Sequence, residues 1–433
     1  MRDPRRFVTV VDMGSETIRV MISHEKNGLI EISGYAERPS GGINKGAVRD
    51  ILKAREAVEG TVTIAESMIG KRVFDTTYHV CLSSQEVDSH IVHGSVDIAQ
   101  RPEGNSILEE DVNRALNAAV ETLFLPSQEE GLNVNNTFVL HKLALGYKLD
   151  GRDVSTPLEM MADELTVDAV VITEDIGIIK GIKHLLEDVD IDVSSFIYQG
   201  IAAAESCANM TEKERGVAVV NLGGGVTDIV VYFNGVPIYV RSLPLGGSTI
   251  TRDIAQVLGI SYAEAERIKR ENGFALPKAL EENVDITVRK PDNITEINVS
   301  AKKLSYIIYA RLKEILEYVR KELRRAEPFL RAHGETSIPG GIILTGGGTH
   351  LKGIEEIGEE VLRYPCRIGN YANSGNTILD GPEDVLSDPS FSTIMGGTIW
   401  TYRYSNLERN EQRSKAKKRS FFQKFIDYWK KFV

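Results

Sequence analysis

The sequence predicts an α/β protein made of two similarly folded halves that face each other. An apolar strand, a glycine turn and a second strand occupy residues 7–22, and the same pattern returns in residues 217–233. Recurrence of this pattern within one chain indicates two copies of one structural unit. Helical apolar spacing, as in residues 50–69, alternates with short strands, which is typical of an α/β fold.

Composition and charge restrict the class of protein. The 433 residues carry a net charge of −11, yet the segment from Lys415 to the C-terminus has seven basic residues and one acidic residue. An acidic body with a short basic tail argues against nucleic acid as the main partner and predicts that the tail meets an anionic surface. Three separated cysteines predict neither a disulfide framework nor a zinc site. We expect no signal peptide and no transmembrane helix.

Three glycine-centred turns each close an apolar strand. Glycines allow backbone N–H groups to approach an anion closely and to point at it together. One such turn is more often only a turn, but three in order predict a phosphate clamp. Two hairpins would grip a nucleotide from opposite halves, and the third turn would pass beneath the nucleoside.

Side chains beside these turns add to the predicted nucleotide site. Hydroxyl groups supply donors, Arg19 supplies a cation for a phosphate, and Asp12 and Asp228 could hold magnesium through its waters. The predicted contacts are Asp12, Gly14, Ser15, Glu16, Thr17, Arg19, Asn221, Gly223, Gly224, Gly225, Thr227, Asp228, Gly346, Gly347 and Gly348.

A helical segment, 262–271, offers a further nucleotide contact. Glu266 and Lys269 are three residues apart and therefore share one helix face. They could hydrogen-bond the ribose hydroxyls. The alternative is a solvated ion pair with no ligand.

These motifs resemble the actin/Hsp70/sugar-kinase superfamily and, more closely, the FtsA family of bacterial cell-division proteins. The resemblance is dense in residues 216–228, 301–314, 338–353 and 370–397 and covers almost the whole chain. It implies an actin-like, ribonuclease H-like fold with two domains, ATP and magnesium in the cleft between them, and an inserted α+β subdomain.

The resemblance also implies a function. Proteins of this family polymerise on the inner face of the cytoplasmic membrane at the division site. They tether the tubulin-like protein FtsZ by its C-terminal tail, and later division proteins are expected to bind the inserted subdomain.

The expected domain organisation follows the same resemblance. Residues 1–85 and 164–197 form the first domain, 86–163 the inserted subdomain, 198–253 and 336–404 the second domain, 254–335 its helical subdomain, 405–414 a linker and 415–433 an amphipathic helix.

Two positions matter for activity and partners. Arg311 and Glu314 match the family's site for the FtsZ tail, and an arginine fork suits a carboxylate on that acidic tail. Asn221 stands where relatives usually have Asp. An amide cannot act as a general base, so we expect nucleotide binding with slow or absent hydrolysis.

The C-terminal segment predicts a membrane-surface helix. At 100° per residue, its large apolar side chains share one arc of about 140°, and its cations lie outside that arc. The residues expected to meet lipid are Phe421, Phe422, Phe425, Ile426, Trp429, Phe432, Lys418, Arg419, Lys430 and Lys431. The alternative is a terminal helix docked on the protein's own core.

Other classes on the same superfold remain as alternatives. A small-molecule kinase would need a carboxylate base and a substrate pocket in the first half, and neither is identifiable. An Hsp70-like chaperone would need a further peptide-binding domain. A pilus-assembly actin homologue shares the insertion but would normally lack the Phe/Trp-rich tail, and a rod-shape actin homologue lacks the insertion.

Overall fold

The computed structural model describes residues 6–70, 73, 76–100, 104–125, 133, 135–280, 284–292, 294–332 and 337–415, with side chains except at 332 and 404–415. The strands are β1 Phe7–Met13, β2 Thr17–Lys26, β3 Leu29–Pro39, β4 Ile43–Asn44, β5 Ala47–Val48, β6 Thr76–Leu82, β7 Asp88–Asp97, β8 Thr137–Leu149, β9 Arg152–Val154, β10 Glu164–Asp175, β11 Val193–Tyr198, β12 Val217–Leu222, β13 Thr227–Phe233, β14 Val236–Leu243, β15 Asp285–Arg289, β16 Glu296–Ser300, β17 Ile342–Thr345, β18 Cys366–Ile368 and β19 Leu379–Asp380.

The helices alternate with these strands along most of the chain. They are α1 Ile51–Ile69, α2 Glu109–Thr122, α3 Ile176–Glu187, α4 Gln199–Cys207, α5 Met210–Arg215, α6 Gly247–Leu258, α7 Tyr262–Asn272, α8 Ala301–Ala332, α9 Ile354–Leu362, α10 Glu383–Ser387 and α11 Ser392–Lys415, with short 3-10 segments at Pro277–Ala279, Gly347–His350 and Pro389–Phe391. None of the helices among the described residues is both long enough and apolar enough to span a bilayer.

A six-stranded sheet forms the core of the first half, in the order β11-β6-β1-β2-β3-β19. All seven residues of β1 are buried, because both faces of the sheet are covered. Helices α1 and α3 cover one face. Helix α1 begins where Asp50 accepts a hydrogen bond from Lys53 N and ends at Gly70 with a φ of +74°.

The other face of this sheet is covered by a segment that we expected in the second domain. Tyr371, Ile394 and Ile399 pack with Val10 and Met21 of β1 and β2. Strand β19 extends the sheet by pairing with β3. The expected assignment of 336–404 to the second domain is therefore wrong for its C-terminal part, since residues 371–402 contribute to the core of the first half.

A nine-stranded sheet, β18-β17-β12-β13-β14-β7-β10-β8-β9, joins the second half to the inserted unit. The join between β14 and β7 is one residue pair, Arg241 with Asp88. Strand β10 pairs along its length with β7 and β8. The predicted boundary at residue 163 is therefore misplaced, because β10 belongs to the sheet of the inserted unit.

Helices α6, α7 and α8 pack over strands of the second half in one apolar cluster. The segment 254–335 also contains the hairpin β15–β16, which the helical prediction did not include. Helix α11 continues through residues 405–414, where we expected a linker.

Candidate functional site

The first glycine turn joins β1 to β2. A Cβ added to Gly14 would lie 2.4 Å from the carbonyl oxygen of Thr17, so the turn has no room for a larger residue. Asp12 is buried at the end of β1, and its Oδ1 accepts a hydrogen bond of 2.7 Å from Gln199 Nε2. Burial raises the pKa of Asp12 to about 6.

The second glycine turn joins β12 to β13 and has the same design. Asn221 is the cross-strand partner of Asp228, as Asp12 is of Arg19 in the first hairpin. The Asn221 amide donates a hydrogen bond of 3.0 Å to Asp228 Oδ2. A Cβ on Gly223 would lie 2.7 Å from the Val226 carbonyl oxygen.

The two turns face each other at close range. A Cβ on Gly224 would lie 2.3 Å from Cγ of Glu16, and a Cβ on Gly225 would lie 2.6 Å from Oγ of Ser15. Glycine is thus required at both positions for the halves to approach this closely.

Helix α6 orients the second turn. The carbonyl oxygens of Gly223 and Gly224 accept hydrogen bonds from the first amides of α6, at 2.9 Å from Gly247 N and 2.8 Å from Ser248 N. The N–H groups of Gly224 and Gly225 have no hydrogen-bond partner among the described residues. Unpaired backbone amides on a glycine turn can act as donors to an anion.

The third turn lies beside the second. Gly346 has a φ of +85°, and a Cβ there would lie 2.4 Å from Asn221 Oδ1. A Cβ on Gly348 would lie 2.8 Å from Cβ of Leu222, whereas one on Gly347 would meet nothing closer than 3.9 Å. The structure therefore brings all three predicted glycine turns together.

Asp228 is held by several side chains at the base of the cleft. Its Oδ1 accepts hydrogen bonds from Ser83 Oγ and, at 2.8 Å, from Ser242 Oγ. Burial raises the pKa of this carboxyl group, and these donors oppose the shift. No group of three or more His, Cys, Asp or Glu side chains in the described part of the chain could enclose a metal.

Glu266 and Lys269 lie on α7 at the edge of the cleft and form an ion pair of 2.6 Å. Lys269 Nζ also donates to Gly247 O at 3.2 Å, beside the second turn. On the same helix, the Tyr262 hydroxyl donates to Glu16 Oε1 at 3.2 Å across the cleft. The pair is therefore attached to the site rather than isolated in solvent.

Two predicted phosphate contacts are engaged elsewhere. Arg19 Nη2 lies 3.0 Å from Glu37 Oε2, and its guanidinium lies 5.1 Å from the centroid of the Phe391 ring. The Thr227 hydroxyl donates to the Leu245 carbonyl oxygen at 2.8 Å. Each donor thus has a partner within the protein, and the two phosphate contacts stay predictions.

Several residues of the site were not predicted. Gln199 opens α4 directly after strand β11, and Ser83 follows strand β6. A polar residue immediately after an apolar strand is the signal that could have found both, since ligand sites of α/β sheets lie at the carboxyl ends of strands.

The predicted partner site lies on α8, away from the turns. Arg311 donates to Asp253 of α6 through Nε at 2.6 Å and Nη2 at 3.2 Å, and to Glu314 through Nη1 at 2.6 Å. The sequence identified the second carboxylate but not Asp253. The predicted lipid-contacting residues, all within 418–432, lie outside the described residues.

Comparison with known proteins agrees with this architecture. Solved structures with similar folds include a PilM–PilN type IV pilus biogenesis complex (TM-score 0.61, 17% identity, 90% of this chain and 97% of that chain). Another is MreB5 of Spiroplasma citri bound to ADP (TM-score 0.54, 13% identity, 93% and 98%). The fold and the opposed glycine turns define an actin-like protein, which confirms the predicted fold class.

Sequence relatives define the family. A Cell division protein FtsA of Borreliella burgdorferi is 30% identical over 419 residues, covering 96% of this chain and 95% of that protein. The Escherichia coli K12 protein of the same name is 25% identical over 395 residues, covering 90% and 89%. Family models for Cell division protein FtsA and for the SHS2 domain inserted in FtsA match residues 218–396 and 84–173. The chain belongs to the FtsA family of cell-division proteins.

Proposed function

We propose that the chain binds ATP in the cleft between its two halves and polymerises at the cytoplasmic face of the cell membrane, where it tethers FtsZ at the division site. The observation that carries this proposal is the approach of two glycine turns from opposite halves, at Gly224 against Glu16 and Gly225 against Ser15. Side-chain-free turns with unbonded amides are suited to a polyphosphate.

The nucleoside end of the site has its own support. Glu266 and Lys269 would bind the ribose hydroxyls, and the turn at Gly346–Gly348 would pass beneath the nucleoside. Solved structures of MreB5 from Spiroplasma citri are bound to ADP and AMPPNP, which supports an adenine nucleotide as the ligand of this chain.

The carboxylates present fit a magnesium ion held through water better than one enclosed by the protein. Both carboxylate oxygens of Asp228 accept hydrogen bonds within the protein. Asp12 accepts one from Gln199, through Oδ1. Burial opposes the charged form of Asp12, and a nearby cation would favour it. Asp12 is therefore the residue that would orient the metal's waters, and the metal would neutralise phosphate charge.

Hydrolysis is proposed to be slow. Asn221 is only 5% exposed and donates a hydrogen bond to Asp228. Its amide group cannot act as a general base. ATP would then act mainly as a structural ligand that holds the two halves together.

The FtsZ tail is proposed to bind at Arg311 and Glu314. Arg311 is a quarter exposed and contacts Asp253 through both Nε and Nη2, and this orientation of the guanidinium supports two-point contact with a carboxylate. An incoming acidic tail would share or replace this partner. The inserted subdomain, 86–163 as predicted and extending to β10 in the structure, would bind later division proteins.

The membrane contact is proposed to come from residues 415–433. The experiment is co-sedimentation of the full chain with anionic vesicles, with ATP and with a peptide of the FtsZ C-terminal tail. We expect the protein to pellet with vesicles and to carry the peptide with it, whereas a chain ending at residue 414 should stay in the supernatant with its nucleotide bound.

Two outcomes would overturn this proposal. Pelleting of the truncated chain with vesicles would reject the anchor. Vesicle binding without retention of the FtsZ peptide would favour another actin-like role, such as pilus assembly, over tethering.

A further inference from the structure

A two-stranded hairpin, β4–β5, packs against the facing glycine turns. At its tip, Gly46 N donates to Ser15 Oγ at 3.3 Å, and a Cβ on Gly46 would lie 1.9 Å from the carbonyl oxygen of Ser83. The neighbouring Lys45 N lies 3.3 Å from the position that a Cβ on Gly225 would occupy. The tip therefore contacts the first turn and approaches the second.

The backbone at this tip is unusual for lysine. Lys45 and Gly46 have φ values of +50° and +81°, the pair of positive angles found in type I′ hairpin turns. Asn and Asp adopt the first position readily, whereas a long side chain without a local hydrogen bond adopts it at a steric cost.

Other hairpin turns of this chain show which residue types usually occupy the first turn position. Three other two-residue hairpin turns have the same pair of positive φ angles, and each begins with Asn or Asp. They are Asn27–Gly28, Asp150–Gly151 and Asn234–Gly235, with first φ values of +55°, +47° and +51°. Lysine thus stands where the same chain otherwise uses a turn-forming residue, and this occurs at the turn that touches the cleft. Unfavourable backbone conformations retained at a site point to a role for the side chain there.

The cations near the cleft differ in their availability. Arg19 is paired with Glu37 and lies over Phe391, and Lys269 is paired with Glu266. Lys45 is half-buried and has no ion pair or side-chain hydrogen bond among the described residues. Lys45 can therefore bind an anion without breaking an ion pair formed within the described part of the chain.

We propose that Lys45 binds the terminal phosphates of the nucleotide and that the β4–β5 hairpin forms a third wall of the phosphate site. This inference rests on the proposed ATP site. The flexible ammonium group supplies charge that the amides of Gly224 and Gly225 lack. Lys45 then discriminates polyphosphate nucleotides from the monophosphate, and its charge offsets the cost of its backbone conformation.

Lys45→Asn gives a matched test, because Asn suits the turn and removes the cation. ATP, ADP and AMP are titrated into the full chain by calorimetry, with AMP measured by competition, and thermal unfolding is recorded without nucleotide. We expect ATP affinity to fall about tenfold or more. We also expect unchanged AMP affinity, a raised unfolding temperature of the nucleotide-free chain, and near-normal ATP affinity for Lys45→Arg.

Asn27→Lys is the control, since it places lysine in the same kind of turn at the β2–β3 hairpin. It should lower the unfolding temperature and leave ATP affinity unchanged. Equal ATP affinity of Lys45→Asn and the unaltered chain would overturn the assignment of Lys45 alone, as would parallel losses for ATP and AMP. Absence of ATP binding by the unaltered chain would overturn the proposed ATP site and the role of Lys45 with it.

Discussion

Buried carboxyl groups dominate the site at the scale of single residues. Asp12 lies near the end of β1 and Asp228 near the start of β13, beside the first and second glycine turns, and burial raises the pKa of each. Their charged forms carry a desolvation cost that a nearby cation would reduce. Neighbouring donors, Gln199 for Asp12 and Ser242 for Asp228, reduce this cost without removing it.

Asp12→Asn should stabilise the nucleotide-free protein in a pH-dependent way. The pKa of Asp12 is about 6 in the folded chain against an ordinary 3.8, so the folded chain holds this proton more tightly than the unfolded chain. Stability associated with Asp12 is therefore lost as pH rises from about 4 through about 6. We expect the variant to exceed the unaltered chain by on the order of 2 kcal/mol at pH 7 and by little at pH 4.

Urea unfolding at several pH values measures this difference. A gap between the two proteins that stays constant with pH, or that shrinks as pH rises, would contradict the assigned ionisation of Asp12.

Asn221→Asp should speed phosphate release in the presence of magnesium. A carboxylate at this position supplies the charge and basicity that the amide lacks, and general base catalysis is typically worth about a hundredfold or more. A steady-state phosphate-release assay compares the two proteins at saturating ATP. Rapid turnover by the unaltered chain would show that Asn221 does not limit hydrolysis.

At the scale of elements, contacts between helices position the side chains of the proposed partner site. Arg311 ties α8 to α6 through Asp253, so the guanidinium is fixed before any partner arrives. A fixed fork loses less conformational entropy on binding a carboxylate than a free side chain does.

Arg311→Lys should weaken binding of an FtsZ tail peptide by about tenfold, because lysine keeps the charge but loses two-point contact. Fluorescence anisotropy of a labelled peptide measures the affinity. Arg324 is exposed on the same helix, so Arg324→Lys is the matched control and should leave the affinity for the peptide unchanged. Equal losses in both variants would indicate general electrostatics rather than a fork at Arg311.

Three charged side chains, one each from α4, α5 and α11, form a cluster of two ion pairs. Glu205 accepts from Lys213 Nζ at 2.6 Å and also from Arg403, and both Glu205 and Lys213 are at most 5% exposed. Glu205→Ala should lower the free energy of unfolding by about 3–5 kcal/mol, since it leaves the Lys213 charge buried without its partner.

Glu187→Ala serves as the control for Glu205→Ala. Its ion pair with Lys183 is exposed and 3.8 Å long, so we expect a change within about 0.5 kcal/mol. Denaturant unfolding measures both variants, and similar small losses would indicate that Lys213 finds other compensation.

At the scale of the whole molecule, the sequence predicts local features such as the glycine turns better than it predicts contacts between residues that are distant in the chain. The sequence identifies the glycine turns because the requirement for glycine arises from local steric crowding. Gly14 and Gly223 occupy equivalent positions in two hairpins. The pairing of Arg19 with Glu37 and the join of Arg241 to Asp88 depend on residues distant in sequence. No periodicity encodes such contacts.

The same limit explains the misplaced boundaries. Residues 371–402 were assigned to the second domain by order along the chain, yet they pack on the first sheet, where their apolar side chains cover β1 and β2. Short buried polar residues such as Ser83 and Gln199 were missed for a related reason. Their importance comes from the carboxylates that they meet in the folded chain, Asp228 and Asp12.

The proposed nucleotide would contact both halves of the molecule at once. Hydrogen–deuterium exchange of the full chain with and without magnesium and ATP tests this arrangement most directly, because bound phosphates would protect the amides that contact them. We predict slower exchange on ATP addition in residues 13–17 and in 222–226 together. Unchanged exchange in both turns, or protection confined to one half, would contradict binding of one nucleotide by both halves.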